Sequence, residues 1–459
     1  MAQDSSDTRD LTKGPVWRAL TVMSAPMSLG IFAVLSVGIA DAVFLGRYSS
    51  DALAAVGFIY PVTTAITSLS IGLSAGANAA ISQGLGRQDD ETATCRRALH
   101  AVGLGSVLAV IVALLVWLSS PTLFGLIGAD GAALEGVLAY MPIWAMSFPF
   151  LVLMMQINAV FRAHGRGGLS AGIMVLAAVV NIILDPILIF GLGPIAELGI
   201  EGAAWATFAG RVLAVAAALL IAMRRGYIAL GSQPFANLWD SVREITNVGA
   251  PAAFSNAINP AGMAAVTAAV ATVGTDAVAG FGAATRVQSI ALVPLLALSS
   301  GIGPVVGQNW GADKQDRARA AMGQSIAFCI AYALTLGVVL ILFGQPIAAL
   351  VTGGADGTEQ AGFYLAVVGW SLFGYGILVT ANAAMNARSK ALWSMGISIG
   401  RVFAIYIPAA WIGVTLGGYT GILIAAVVAN LAGAALAWFA LGQTGLRTRT
   451  IPRVRPQPT

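Results

Sequence analysis

Asp41 and Asp185 are the residues from which chemistry can be argued. Each sits well inside an apolar run, whereas the other eighteen of the 20 acids fall in tails, loops or at the ends of runs. A carboxylate at membrane depth costs on the order of 3 kcal/mol, so its presence points to function by default. Burial disfavours the charged form of a carboxyl, and a second acid in the same site disfavours it further, which suits such a pair to taking up and releasing one proton. Asn181 lies four residues before Asp185, a spacing that places both on one face of a helix. With Asp41, and with Thr207 or the carbonyl of Ala203, they also form an oxygen set for Na⁺. The same atoms serve either ion. A buried pair that only ties two helices together is the alternative. Against it, the acids have no counterpart in the second half of the chain, where the equivalent positions fall on Val266 and near Ile407.

The elements that must carry these residues follow from composition. The chain has 459 residues, 58% of them hydrophobic and only 10% charged, with a mean hydropathy of +0.84. Soluble domains average about 25% charged residues, and so few charges could not cover a water-facing surface. A soluble enzyme, a nucleic-acid binder and a disordered protein are all excluded. At about 20 apolar residues per crossing, twelve spans are predicted. They start near Val16, Leu53, Ala98, Val137, Leu169, Ile200, Ile245, Val278, Ala321, Gly362, Ala391 and Thr420, with turn signals such as Ser119-Ser120-Pro121, Gly191-Leu192-Gly193-Pro194 and Gly353-Gly354 between them. Only helices satisfy their own backbone in lipid, so the class is an all-α integral membrane protein. The polar, acidic start of the chain lacks a basic region and a cleavage site, so the first span is expected to be retained.

Orientation follows from Lys and Arg. With the N-terminus cytoplasmic, 19 of the 24 basic residues fall in cytoplasmic loops and tails, including the tail arginines Arg447, Arg449, Arg453 and Arg455, and only Arg47 falls opposite. Arg18, Arg211, Arg286 and Arg401 lie in or at the start of spans. Both termini are therefore placed in the cytoplasm, in a cell (inner) membrane. Cys95 and Cys329 fit no metal spacing and read as packing residues.

The spans repeat. Sliding the chain by 225 residues lays 26–86 on 251–311 without a gap: Pro26 meets Pro251, Asp51-Ala52 meets Asp276-Ala277, and Gln83-x-x-Gly86 meets Gln308-x-x-Gly311. Asn158-Ala159 likewise matches Asn382-Ala383, and Gly199-x-x-Gly202 matches Gly418-x-x-Gly421. Six spans per copy is an even number, so both copies insert the same way, as two six-helix lobes related by a pseudo-two-fold along the membrane normal. The organisation expected is an N-terminal lobe over 1–223, a cytoplasmic linker over 224–243, a C-terminal lobe over 244–446 and a basic tail over 447–459. A cavity between two such lobes is the usual place for a carrier's substrate.

On these features the chain resembles the multidrug and toxic compound extrusion (MATE) family. The features are the twelve spans in two lobes, an acid in the first span, the Asp51-x-Leu-Ala-Ala-Val-Gly57 opening of the second, and Gln-x-x-Gly in both halves. Within the family it is most similar to the DinF-like branch, on Asp41, Asn181 to Pro186 and Thr207. The resemblance implies a two-lobe antiporter that exports amphipathic, often cationic, drugs and dyes in exchange for H⁺ or Na⁺, with no other cofactor. It also implies a polar ion site in the N-terminal lobe. The C-terminal carboxylates of the norfloxacin-efflux branch are missing from this sequence. Pro26 removes an i→i−4 bond and can kink the first helix. Pro251 occupies the matching place without an acid downstream, which makes the kink partly structural.

For cargo contacts the soft and polar groups Tyr140, Met154, Met155 and Asn158 stand out in one lobe, and Asn256, Asn259 and Gln288 in the other. Arg211, Arg286 and Arg401 have no evident partner, and positive charge in a cavity weighs against a cationic cargo. A flippase for lipid-linked saccharides is the rival carrier. An intramembrane enzyme is disfavoured, because His100 and His164 form no zinc motif and no span holds an Asp-rich pair. The expected partners are small molecules and the lipid bilayer, with no nucleic acid, and the chain is taken as a monomer.

Overall fold

The computed structural model describes residues 9–193, 196–229, 231 and 233–447. Pro194 and tail residues Arg449, Arg453 and Arg455 lie outside the described residues. The described chain is helical. The six helices of the N-terminal half are α1 (Val16–Tyr48), α2 (Ser50–Gly86), α3 (Glu91–Leu126), α4 (Gly131–Ala163), α5 (Gly167–Phe190) and α6 (Gly199–Arg224). The C-terminal half holds α7 (Leu238–Ala271), α8, α9 (Gln315–Thr352), α10 (Thr358–Ala387), α11 and α12. α8 joins Thr275–Ala291 to Val293–Gly311 through a 44° bend at Leu292. The last stretch, Ala391–Gln443, is one helical run by hydrogen bonding but is broken at Gly417 and Gly418, where φ of Gly418 is +58°. It thus supplies α11 (391–416) and α12 (419–443).

Among the described residues nine helices are long and apolar enough to cross a membrane as they stand. The twelve spans are reached by dividing Ala391–Gln443, joining α8 and adding α7, which Asn256, Asn259, Thr246 and Thr267 make more polar than its neighbours. Most helices start three to seven residues before the apolar run does. The extra turn is built by caps and acids: Ser49 accepts from the backbone N–H of Ala52 at 3.0 Å, and Asp51 and Asp276 sit in the first turns of α2 and α8, where a negative charge suits the helix dipole. The repeated Asp-Ala pair is thus a helix start. α7 likewise opens at Leu238, so residues 238–243 continue its helix rather than a loop.

The connections alternate between two faces. Residues 9–15 and the turns after α2, α4, α6, α8 and α10 share one, the near face; Ser49 and the break at Gly417–Gly418 mark the far face. At the near face the halves interlock. A Cβ on Gly86 would collide with the carbonyl oxygen of Gln308, and one on Gly311 with the carbonyl oxygen of Gln83. The Gln-x-x-Gly motif therefore makes a reciprocal contact in which each glycine admits the other copy's backbone. Gln83 Nε2 donates to the carbonyl of Ala387 at 2.6 Å, and Gln308 Nε2 to that of Ala163 at 2.7 Å. Deeper in, Gly72 and Gly76 on α2 seat against Ala253 and Ile245 of α7.

At the rim of this face Asp89 accepts from Arg97 at 2.6 Å, and Glu244 of α7 stands 3.6 Å from Arg97 and 3.8 Å from Arg87. Partial burial alone would raise the carboxyl of Asp89, but the hydrogen bonds from Arg97 and Arg87 outweigh it and hold it below its ordinary value. Residues 9–14 lie across the seam: the N–H of Leu11 donates to Gln308 Oε1 at 2.9 Å, and its carbonyl accepts from Asn309 at 3.1 Å.

Candidate functional site

Small residues draw α1, α5 and α6 together. Gly30 of α1 meets Ala171 of α5, and Gly167 of α5 meets the backbone of Met23. Gly202 and Gly210 of α6 seat on the carbonyls of Leu188 and Ala177. Close backbone approach of this kind is how helices associate without a hydrophobic drive between them. It brings Asp41 from α1, Asn181 and Asp185 from α5, and Thr207 from α6 into one site, in the part of the lobe toward the far face.

Asp185 is fully buried and Asn181 nearly so. Asp41 lies against Asp185, close enough for one carboxyl to hydrogen-bond to the other. Asn181 Nδ2 donates to Thr207 Oγ1 at 3.2 Å and to Asp185 Oδ1 at 3.4 Å. One oxygen from each of three side chains, Asp41 Oδ1, Asp185 Oδ2 and Asn181 Oδ1, is buried without a protein partner. A set of three such oxygens suits a proton or a hard cation such as Na⁺. Ala203, one turn before Thr207, is buried on the same helix. α1 runs as one helix through Pro26, more than three turns from Asp41.

Two more residues complete the site. Tyr140 on α4 is buried, lies against Thr207 and is within electrostatic reach of both acids. Arg211, one turn after Thr207, donates to Ser147 of α4, stands 5.8 Å from the ring of Trp144 and faces Asp41. The arginine that had no partner in sequence is the counter-charge of the acid pair.

Of the cargo candidates, Met154 is packed in the hydrophobic core of the N-terminal lobe, and Met155 beside it is half-buried. Asn158 is buried with Oδ1 unpartnered. In the other lobe Asn256 bonds within its own helix, to the carbonyl of Ala252 at 2.8 Å, and Asn259 is half-buried. Gln288 accepts from the hydroxyl of Tyr364 at 2.7 Å. Tyr140 alone among the seven joins the acid site. Arg286 is exposed.

The C-terminal lobe has a second polar chamber, on the equivalent helices α10, α11 and α12. Arg401 is only 7% exposed. It donates to Asn430 Oδ1 at 3.1 Å, and its guanidinium carbon lies 5.2 Å from the ring of Tyr375 and 5.9 Å from that of Tyr406. Asn430 in turn donates to Ser371 Oγ at 2.9 Å.

The signal for this chamber was in the repeat. Tyr140 and Ser147 correspond to Tyr364 and Ser371 at the 224-residue offset of Asn158 to Asn382, and Arg211 corresponds to Asn430 at the 219-residue offset of Gly199 to Gly418. The α6–α4 bond from Arg211 to Ser147 therefore recurs as the α12–α10 bond from Asn430 to Ser371.

Two lobes of six helices, each with a buried polar chamber and closed on each other at one face, define a multi-pass carrier. The MatE family pattern matches residues 26–187 and again 251–412, two segments offset by the same 225 residues. The chain belongs to this family, whose members are transporters rather than enzymes, and it is an efflux transporter. It is similar to the FAD transporter of Shewanella oneidensis, with 33% identity over 427 residues, 93% of this chain and 94% of that protein. It is also similar to the multidrug export protein MepA of Staphylococcus aureus, at 27% over 91% of this chain and 92% of the relative. The crystal structure of an Asp-to-Asn mutant of the Vibrio cholerae MATE transporter VcmN superposes with a TM-score of 0.89 at 28% identity, covering 93% of this chain and 96% of that one.

Proposed function

We propose that the protein exports amphipathic compounds by alternating access, driven by protons that enter the Asp41–Asp185 site as cargo leaves. The observation that carries this is the charge count of the N-terminal chamber. Arg211 offsets one carboxylate, and a proton shared between Asp41 and Asp185 offsets the other, so the loaded site is neutral and the empty one carries one negative charge. Na⁺ on the free oxygens of Asp41, Asp185 and Asn181, with Thr207 beside them, would serve the same balance, and the test separates the two ions. The basic near face lies at the cytoplasm of an inner membrane, with both termini there. The interlocked halves then seal the cytoplasmic side, which makes this conformation outward-open. The transporter works as a monomer, each chain holding both lobes of one pathway.

Two cargo classes follow from the relatives. The multidrug exporters support amphipathic drugs and dyes; the FAD transporter, more similar in sequence and over nearly the whole length, supports a flavin dinucleotide. The buried Arg401 of the C-terminal lobe favours the flavin, because a cationic dye would meet like charge there.

Proteoliposomes loaded with ethidium or FAD, given a pH gradient or separately a Na⁺ gradient, test the mechanism. Efflux driven by the pH gradient in the wild type, and reduced at least a hundredfold in Asp41→Asn and in Asp185→Asn, is the expected result. Efflux that follows only Na⁺ replaces the ion and keeps the site. Undiminished proton-driven efflux in both variants removes the coupling role from the pair.

A further inference from the structure

We propose that the chamber around Arg401 binds an oxyanion of the cargo, with the phosphate of an aromatic phosphoester as its ligand. The inference rests on the carrier reading above and assigns the part of the cargo that the C-terminal lobe holds.

The starting point is a buried charge without a counter-charge. Arg401 forms no ion pair among the described residues. Every acid of α7–α12 lies in the first two turns of its helix (Asp240, Glu244, Asp276, Asp316 and Glu359), and Asp313 and Asp356 lie in connections. A guanidinium is always charged and carries five N–H donors. Nη2 is used by Asn430, and Nε is buried with no hydrogen-bond acceptor. Tyr375 and Tyr406 give it ring faces, which attract a cation but accept no strong N–H bond. Removing a charge from water without a paired ion is costly. A planar guanidinium with donors left over is the group that receives phosphate or carboxylate oxygens.

A second, independent feature marks the same residue. Arg401 lies in a π-helical stretch, Gly400–Tyr406, inside α11. Such bulges in otherwise regular helices are frequent at functional sites. A third is position. The chamber uses helices equivalent to those of the N-terminal ion site and keeps its Tyr and Ser, yet the acids are gone and the sign is reversed. Asn430, tied to Ser371, positions the guanidinium as Ser147 positions Arg211. The flavin dinucleotide of the carrier reading carries such a phosphoester.

The test is equilibrium binding to the full-length transporter in phosphatidylcholine nanodiscs, read by flavin fluorescence, with FAD, FMN and riboflavin as probes. The wild type is expected to bind FAD and FMN at least tenfold more tightly than riboflavin, which has the same ring and no phosphate. Arg401→Gln should abolish that preference while leaving riboflavin binding within twofold; equal loss for all three probes, or no loss, overturns the proposal. Arg401→Lys keeps the charge without the fork and should retain a reduced preference, so a poorly folded Gln variant does not leave the question open. Fluorescein, an aromatic carboxylate, reads whether the site takes oxyanions generally. Phosphatidylglycerol added to the nanodiscs separates the sources: competition with FAD in the wild type and not in Arg401→Gln assigns the oxyanion to a lipid headgroup. Asp41→Asn should lose gradient-driven transport and keep the FAD preference. That combination separates failure of the coupling site from failure of the anion site. A wild type that binds FAD no better than riboflavin refutes the anion site even if dye transport is intact.

Discussion

In the N-terminal lobe a guanidinium stands against two carboxyls; in the C-terminal lobe a guanidinium stands among tyrosine rings with no carboxylate beside it. Both chambers descend from one plan, with Tyr140 and Tyr364, Ser147 and Ser371, and a donor from the last helix of each lobe in matching places. What diverged is the ionisable content. The first chamber lacks one positive charge and the second lacks one negative charge. A duplicated scaffold has thus kept its hydrogen-bonded frame while the ionisable groups set on it changed.

The comparison can be strained where the two halves are alike. Gly86→Val and Gly311→Val each push a side chain into the partner half's backbone, and overpacking of this kind costs about 1–3 kcal/mol. Because the contact is reciprocal, thermal melting in detergent should fall by similar amounts in both variants. A loss confined to one of them would show that the interlock is not the two-way contact its geometry describes.

An unequal effect is expected inside the chambers. Ser147→Ala removes an acceptor from a charged donor, worth about 1.5–3 kcal/mol, whereas Ser371→Ala removes one from a neutral amide, worth about 0.5–1.5 kcal/mol. Melting temperatures measured side by side should rank them in that order. Equal losses would mean that Arg211 finds another acceptor and that the N-terminal chamber is less tightly built than it looks.

The smallest effect belongs to the rim. Asp89→Asn removes an ion pair that is partly open to water, so the loss should stay below about 1 kcal/mol and shrink further in salt. The sign with pH follows from the depressed carboxyl of Asp89. Its contribution is complete above the ordinary carboxylate range and disappears as pH falls through the lower folded-state value. The wild type and Asp89→Asn should therefore converge in stability as the medium is acidified toward pH 3. A gap that persists there would mean that the side chain acts by shape rather than charge.

Much of this molecule was legible in its sequence, for reasons that are physical. Apolar runs of about 20 residues can only be spans, and an acid inside one is conspicuous because lipid penalises it. Asp41, Asp185 and, through the i,i+4 rule, Asn181 therefore stood out, and the structure sets them side by side with Thr207. The arginines were visible but mute. A long side chain in a span announces a charge without saying which helix receives it, and Ser147 lies 64 residues from Arg211 in the chain. Tyr140 entered as a possible cargo contact; its approach to Thr207 depends on how α4 leans on α6, which periodicity does not fix. α7 is the span whose polarity hides it, because its Asn and Thr side chains satisfy themselves on their own helix, as Asn256 and Thr267 do. The 224- and 219-residue offsets were the one sequence signal that led from the N-terminal chamber to its C-terminal counterpart.

The reciprocal contact of Gly86 and Gly311 has a mechanical consequence. A seal made of peptide backbone has no ionisable part, so neither pH nor membrane voltage can grip it directly. It is a latch rather than a sensor; the ionisable part of the same seam is the rim, where Glu244 stands 3.6 Å from Arg97 and 3.8 Å from Arg87. The helices are the levers. α1 carries Asp41 toward one face and, 17 residues earlier, packs on the helix that ends in the latch, with Ser24 against Gly301 of α8. Under the proposed coupling, a change of one charge at the far end of such a rod would be delivered at the near end as a displacement.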